Sequence, residues 1–192
     1  MEWDLKWLEK MIIFDLDGTL ADCEHRRHFI EAPEDRCWRC FEYLTDCEKI
    51  KEPLFTCSCG RQPGIWRKDW QAFYEACDQD RPIQPVINIF YTMQDVYKIN
   101  NMQIWSGRCE SVREKTIQWL LQYAHYDEDI VLKMRPIGDS TSDDQLKERW
   151  LDEALAQGNK VDFVFEDRPR LVRMYRRRGI FVFNCCQHED EF

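Results

Sequence analysis

An α/β fold built on a parallel, Rossmann-like sheet is predicted by three observations in the amino-acid sequence. Short apolar runs alternate with segments of helical period along most of the chain. Three of those runs end in polar clusters: D-L-D-G-T at 15–19, S-G-R at 106–108 and E-D-R at 166–168. The length, 192 residues, suits one compact domain carrying an insertion. Strands alternating with helices imply right-handed crossovers and a parallel sheet covered on both faces. Ligands of such sheets bind beyond the carboxyl ends of the strands, where the three polar clusters fall.

The first predicted strand is M-I-I-F-D-L at 11–16, a continuous apolar run suited to burial on both faces. From 22 to about 67 the pattern breaks. Cys23, Cys37, Cys40, Cys47, Cys57 and Cys59 fall here with Pro33, Pro53 and Pro63, and no clean period runs through them. This stretch reads as an insertion, its cysteine-rich part spanning 29–65 of a single 1–192 domain. Helices are predicted at 66–77 and 86–99, then a second strand at 101–105 that leads into Ser106-Gly107-Arg108. Within 111–124, Val112, Ile117, Leu120, Leu121 and Ala124 share one helical face. A third strand at 130–134 precedes a helix at 143–157, which Gly158-Asn159 stops in the manner of a C-cap. The fourth strand, 161–165, ends in Glu166-Asp167-Arg168, and Pro169 suits the first turn of a helix at 170–178. Gly179 closes that helix and 180–183 supplies the fifth strand.

Composition excludes several classes. A hydrophobic fraction of 44% with only 7 glycines excludes a disordered or fibrous chain. No stretch approaches the about 18 apolar residues of a membrane span. The opening M-E-W-D-L-K-W-L-E-K is acidic and amphipathic, without the basic start and cleavage site of a signal peptide. Ten cysteines without secretion therefore point to a reducing, cytoplasmic setting. The net charge of −9 argues against a protein that coats nucleic acid, but leaves room for a locally basic site.

Asp15 and Asp17 stand two apart at a strand exit, so their side chains can point the same way. One carboxylate of such a pair can attack while its partner protonates the leaving group and then activates water. Gly18 lets the chain turn away sharply, and Thr19 offers a donor to an oxyanion. Asp167, with Glu166 beside it, adds a third acid from another strand end, giving the hard oxygen set that magnesium prefers. Ser106 can donate to a phosphoryl oxygen, and Lys147 can bring positive charge to the same centre. An isolated D-x-D is commonly a turn or an N-cap; four such pieces in this order are not accounted for that way. Arg108 and Arg168 flank these pieces, and arginine forks match phosphate oxygens, so both are expected at the substrate. Arg170, Arg173 and Arg176 to Arg178 read either as a nucleic-acid surface or as a solvated helix face. Trp38, Trp66, Trp70 and Trp105 could stack bases, though core packing accounts for most of them.

D-L-D-G-T-L-A at 15–21, W-S-G-R at 105–108, Lys147 and E-D-R at 166–168 resemble, in order, the four motifs of haloacid-dehalogenase-like (HAD) phosphatases. Arg26, R-P-I-G-D-S-T-S-D-D-Q-L-K at 135–147 and E-D-R-P-R-L-V-R-M-Y-R-R-R-G-I at 166–180 narrow the resemblance. It is to the 3′-phosphatase domain of polynucleotide kinase–phosphatases of the T-even phage type, over 11–28 and 66–186. The resemblance implies a HAD hydrolase core with the cysteine-rich insertion as a cap. It makes Asp15 the nucleophile and Asp17 the general acid/base, with Ser106 and Lys147 on the phosphate. Asp15, Asp17, Glu166 and Asp167 are expected to hold magnesium, and the family usually has Asp at the position of Glu166. Arg26, Gly107, Arg108, Arg135, Asp143 and Arg168 match positions that shape the substrate end. The implied substrate is a 3′-phosphorylated nucleic-acid end or nucleotide, and no protein partner is indicated. The alternatives are a nucleotidase for small nucleoside monophosphates and, in another class, a non-catalytic binding module. Against the latter stands the intact set of Asp15, Asp17, Lys147 and Asp167. No G-x-x-x-x-G-K-[ST] loop occurs, so the phosphate cradle of a kinase is not found in these 192 residues.

The insertion carries its own expectation. Cys37-x2-Cys40 and Cys57-x-Cys59 form two short-spaced pairs, as tetrahedral zinc sites commonly use, with Cys47 as a substitute ligand. A structural zinc ion would explain how so apolar-poor a segment holds a shape.

Overall fold

The computed structural model describes residues 10–31, 68–97 and 99–186. The proposed zinc ligands Cys37, Cys40, Cys57 and Cys59, with Cys47 and most of the 29–65 segment, lie outside the described residues. Two compact units are present, one of Met1–Cys23 with Cys77–Phe192 and the other of Glu24–Ala76.

The larger unit is an α/β sandwich around a five-stranded sheet. Its strands are β1 (Met11–Asp15), β4 (Met102–Cys109), β5 (Val131–Arg135), β6 (Val161–Glu166) and β7 (Phe181–Asn184). They lie in the order β5-β4-β1-β6-β7, and every pairing is parallel. Counting these strands along the chain, that is the 3-2-1-4-5 order of a doubly wound sheet, in which the direction of travel reverses at β1. β1 is buried at every residue, as expected of a central strand covered on both faces. Helices α2 (Gln84–Val96), α3 (Arg113–Ala124), α4 (Asp143–Ala156) and α5 (Pro169–Arg177) join the strands. On one face Leu146, Trp150 and Leu151 of α4 and Leu171, Val172 and Tyr175 of α5 cluster with Trp105, Val164 and Val182. Elsewhere the sheet carries a ladder of rings, Phe14 stacked on Phe165 at 4.4 Å and Phe165 on Phe183 at 4.8 Å. No helix among the described residues is long and apolar enough to cross a membrane.

Three departures from the predicted elements matter to the site. The strand expected at 101–105 runs on to Cys109, with a register shift between Ser106 and Cys109, so S-G-R belongs to β4 itself. Such an irregularity re-aims side chains at a strand end. Two residue pairs, β2 (Ala21–Asp22) and β3 (Arg81–Pro82), form an antiparallel ribbon too short to leave any periodicity in the sequence. Trp105 is fully buried against Trp150, their ring centroids 5.9 Å apart, so it serves the core rather than base stacking.

In the smaller unit, the helix expected at 66–77 is shorter: α1 runs Trp70–Glu75, Lys68 and Asp69 precede it outside the helix, and a 3-10 turn at Ala76–Gln79 follows it. The Asp69 carboxylate caps it by accepting the Ala72 N–H at 2.9 Å. A 3-10 turn at Glu24–Phe29 places Arg26 inside this unit. There its guanidinium donates to the Phe73 carbonyl at 3.1 Å and lies over the Phe73 ring at 4.2 Å.

Candidate active site

Asp15 is the last residue of β1, and the chain beyond it winds tightly about one carbonyl. The backbone N–H groups of Thr19, Leu20 and Ala21 all donate to Leu16 O, at 3.3, 2.9 and 2.8 Å. Gly18 makes this winding possible with φ of +90°, a region that favours glycine. A second reason for glycine comes from the neighbouring strand. A Cβ on Gly18 would stand 2.5 Å from Asp167 Cγ and overlap its Oδ2, so the absence of a side chain lets Asp167 approach β1.

At the end of β6, Glu166 and Asp167 meet Asp15. One carboxylate oxygen from each of the three lies within 4.8 Å of the others. Lys147, in the second turn of α4, enters the same cluster, only 2% exposed. Its ammonium donates to Asp15 Oδ1 and, at 2.8 Å, to Glu166 Oε2. Glu166 is further fixed by the Arg168 backbone N–H, which donates to Oε1 at 3.2 Å. Both Glu166 oxygens are thus engaged with protein donors, whereas Asp167 Oδ1 is buried without a hydrogen-bond partner.

Electrostatics show what this cluster needs. Burial, and then Glu166, push the Asp15 carboxyl up to about 7 despite the pull of Lys147. Burial, then Asp15 and Glu166, push Asp167 up to about 9. Burial works against the Lys147 ammonium, but Asp15 and Glu166 outweigh it, so Lys147 is raised above its ordinary value and stays charged. Three crowded carboxylates share one lysine, and one of them keeps an orphaned oxygen. This oxygen-only donor set fits a hard divalent cation such as magnesium.

Asp17 does not join that group. Its Oδ1 accepts Arg108 Nε at 2.8 Å and Nη2 at 2.6 Å. The same Nη2 donates to Asp80 Oδ2 at 2.6 Å, and Nη1 donates to Thr116 Oγ1 at 3.4 Å. The place of Arg108 beside the S-G motif predicts a substrate contact; its guanidinium is instead fully buried between two carboxylates. Nothing in the sequence singles out Asp80. It sits in the polar run C-D-Q-D-R-P, where nothing distinguishes a buried acid from a solvated turn, and its backbone carbonyl accepts Trp119 Nε1 at 2.7 Å.

Ser106 is buried on β4, and its Oγ accepts the Arg108 N–H at 3.1 Å. Beside it, Gly107 makes room for Asp143, whose Oδ1 would lie 2.9 Å from a Cβ there. Arg135 at the end of β5 and Arg168 at the end of β6 both donate to the Asp143 carboxylate. Arg135 also donates to the Gly107 carbonyl at 3.1 Å and to the Thr141 carbonyl. Asp143 thereby ties the ends of β4, β5 and β6 together at the start of α4. Thr19 Oγ1 is buried without a hydrogen-bond partner. Arg26 belongs to the smaller unit described above.

The family model of the polynucleotide kinase PNKP phosphatase domain, a HAD domain, matches residues 66–190. Among solved structures, Pnkp1 in the Pnkp1/Rnl/Hen1 complex is 26% identical with a TM-score of 0.58 over 92% of this chain. The chain spans 45% of the length of that relative. A putative phosphatase from Clostridium difficile shares the fold, with 16% identity and a TM-score of 0.56 over 91% of this chain and 84% of the other. CbbY from Rhodobacter sphaeroides, solved with phosphate, does so at 15% identity and a TM-score of 0.52, over 94% of this chain and 89% of its own. No curated protein matches. The chain belongs to the PNKP phosphatase-domain family of HAD hydrolases, and it is a phosphatase.

Proposed function

We propose that this phosphatase is a magnesium-dependent phosphomonoesterase that removes 3′-phosphates from polynucleotide or nucleoside ends through an aspartyl-phosphate. The observation that carries the reading is the buried cluster of Asp15, Glu166, Asp167 and Lys147 at the carboxyl end of β1, in a chain of this family. The likeness to Pnkp1, whose complex is described as an RNA repair complex, favours a polynucleotide as substrate.

In this reading an Asp15 oxygen forms a bond to phosphorus as the bond to the ester oxygen breaks. Asp17 gives the departing oxygen its proton and then takes one from the water that attacks the same phosphorus. That second attack breaks the bond to Asp15 and frees inorganic phosphate. Arg108, itself braced by Asp80, holds the Asp17 carboxylate from behind, which fixes its direction for both proton transfers. Lys147 and the Ser106 hydroxyl meet the phosphoryl oxygens, and little else is asked of the protein than position and charge. Asp167, with its orphaned oxygen, and Asp15 would be the main holders of magnesium, with Glu166 braced by Lys147 and Arg168 behind them. When bound, the ion supplies charge neutralisation at the phosphoryl group. Arg135, Asp143 and Arg168 shape the substrate end by bracing the loops around it.

The test compares phosphate release from 3′-phosphorylated and 5′-phosphorylated oligonucleotides and from mononucleotides, with magnesium and with chelator. Magnesium-dependent release from 3′ ends is expected. Exclusive release from 5′ ends overturns the 3′ assignment, and rates untouched by chelator overturn the metal.

A further inference from the structure

Helix α5 leads away from the site with an unusual surface. Residues 168–178 contain six arginines and no acid, in a chain whose net charge is −9. Leu171, Val172, Met174 and Tyr175 of this helix are buried, whereas Arg170, Arg173, Arg176 and Arg177 are exposed. Arg170, Arg173 and Arg177 recur at i, i+3 and i+7, and so share one face. At 1.5 Å of rise per residue this row is about 10 Å long. Its upper end lies at the site, because α5 begins where β6 delivers Asp167, and Arg168 at its N-cap pairs with Asp143.

Two structural explanations for the row fall short. The helix macrodipole favours cations in the last turn, which accounts for Arg176 and Arg177, but it disfavours Arg170 in the first turn and does not reach Arg173 at the middle. Ion pairing accounts for Arg178, which meets Glu148 and Asp152 of α4, and in part for Arg170, whose partners Asp143 and Asp144 stand 3.8 and 3.7 Å away. Among the described residues, Arg173, Arg176 and Arg177 have no ion pair. A row of mutually repelling guanidinium groups that starts at a phosphate-processing site is suited to a ligand with phosphates at regular intervals.

We infer that the Arg170–Arg173–Arg177 face of α5 is a track for the phosphodiester backbone upstream of the 3′-phosphate, which makes a polynucleotide a better substrate than a mononucleotide. The inference rests on the 3′-phosphatase reading and deepens it. With about 3.4 Å of axis per phosphate in a stacked strand, the row spans about three backbone phosphates. The track is sequence-independent, since it touches no base edge.

The test measures kcat/KM for a 3′-phosphorylated single-stranded 10-mer and for a nucleoside 3′-monophosphate, in wild type and in the Arg173→Gln/Arg177→Gln double variant. A second double variant, Lys10→Gln/Lys160→Gln, removes the same charge elsewhere: just before β1 and just before β6, each at the opposite end of its strand from the site. For the 10-mer, the arginine variant is expected to lose about tenfold at low salt. The slope of log(kcat/KM) against log[salt] should become shallower by about 1.4, at about 0.7 for each single-strand phosphate no longer neutralised. The mononucleotide should be hydrolysed unchanged, and the lysine variant should match wild type on both substrates. Equal 10-mer rates and slopes in wild type and the arginine variant overturn the track while leaving the 3′-phosphatase reading intact. An equal loss in the lysine variant overturns it too, by reducing the effect to net charge. Failure of wild type to hydrolyse either substrate overturns the 3′-phosphatase reading and the track with it.

Discussion

Replacing Gly18 with alanine tests the site through a single methyl group. Two costs are separable. The first is conformational: at φ of +90° an L-residue is strained by about 1–2 kcal/mol, wherever in the protein it stands. The second is local: the new Cβ would lie 2.5 Å from Asp167 Cγ and 3.1 Å from Oδ1, well inside van der Waals contact. Asp167 must retreat by about 1 Å, and displacement of that size commonly costs about a hundredfold in rate. Gly158 supplies the control, with φ of +86° and nothing within 4 Å of a Cβ. Urea unfolding should show Gly158→Ala destabilised by about 1–2 kcal/mol and Gly18→Ala by more than that, the clash with Asp167 adding to the same backbone strain. Phosphatase assays with a magnesium titration should show kcat/KM reduced about a hundredfold and weaker magnesium activation in Gly18→Ala alone. Wild-type magnesium dependence and rate in Gly18→Ala would refute the placement of Asp167 against β1.

Magnesium added to metal-free protein at about a hundred times its Kd should stabilise the fold by about 2.7 kcal/mol, raising Tm by roughly 5–10 °C in thermal denaturation. Asp167→Asn should abolish most of that rise; a full rise in the variant would remove Asp167 from the metal site. Asp80→Ala should destabilise by about 3 kcal/mol in urea unfolding, because Arg108 loses one of two buried counter-charges. The same change should lower kcat with little effect on KM, as Asp17 loses its backing. At high pH, Tyr97 provides a titration outside the site. Burial, then Asp162, push its hydroxyl up to about 12. The folded form therefore holds this proton more tightly than the unfolded chain, so its contribution is complete below about pH 10 and is lost as pH rises toward 12. Stability measured across that window should fall less steeply in Tyr97→Phe than in wild type.

The strand ends were legible because each is a short, mostly apolar run that stops at a polar cluster. M-I-I-F before Asp15, V-D-F-V-F before Glu166 and I-W before Ser106 could be read without coordinates. The grouping of Asp15, Glu166, Asp167 and Lys147 was legible for the same reason, since a parallel sheet brings its carboxyl ends together. What a guanidinium does with its fork was not legible. Arg108 and Arg168 both flank motif residues, yet Arg108 turns inward onto Asp17 and Asp80, while Arg168 braces Asp143 at a partly exposed rim. That difference depends on the register shift after Ser106, which no residue pattern announces. Asp80 follows the same logic, because its partner lies 28 residues away and its own neighbours suggest only a turn. The Glu166 carboxylate, set apart in sequence by its length, proves to be saturated by Lys147 and the Arg168 N–H, which leaves Asp167 with the open oxygen.

The most direct test of the account is capture of the covalent intermediate from a defined end. An oligonucleotide carrying radiolabelled phosphate at its 3′ terminus is mixed with the protein and magnesium, and the reaction is quenched in acid during turnover. The protein is then digested and mapped. Label is expected on the peptide containing Asp15, with none in Asp15→Asn and none from an oligonucleotide labelled at its 5′ end. Label on Asp15 from the 5′ end alone, or phosphate release that persists in Asp15→Asn, would contradict the account.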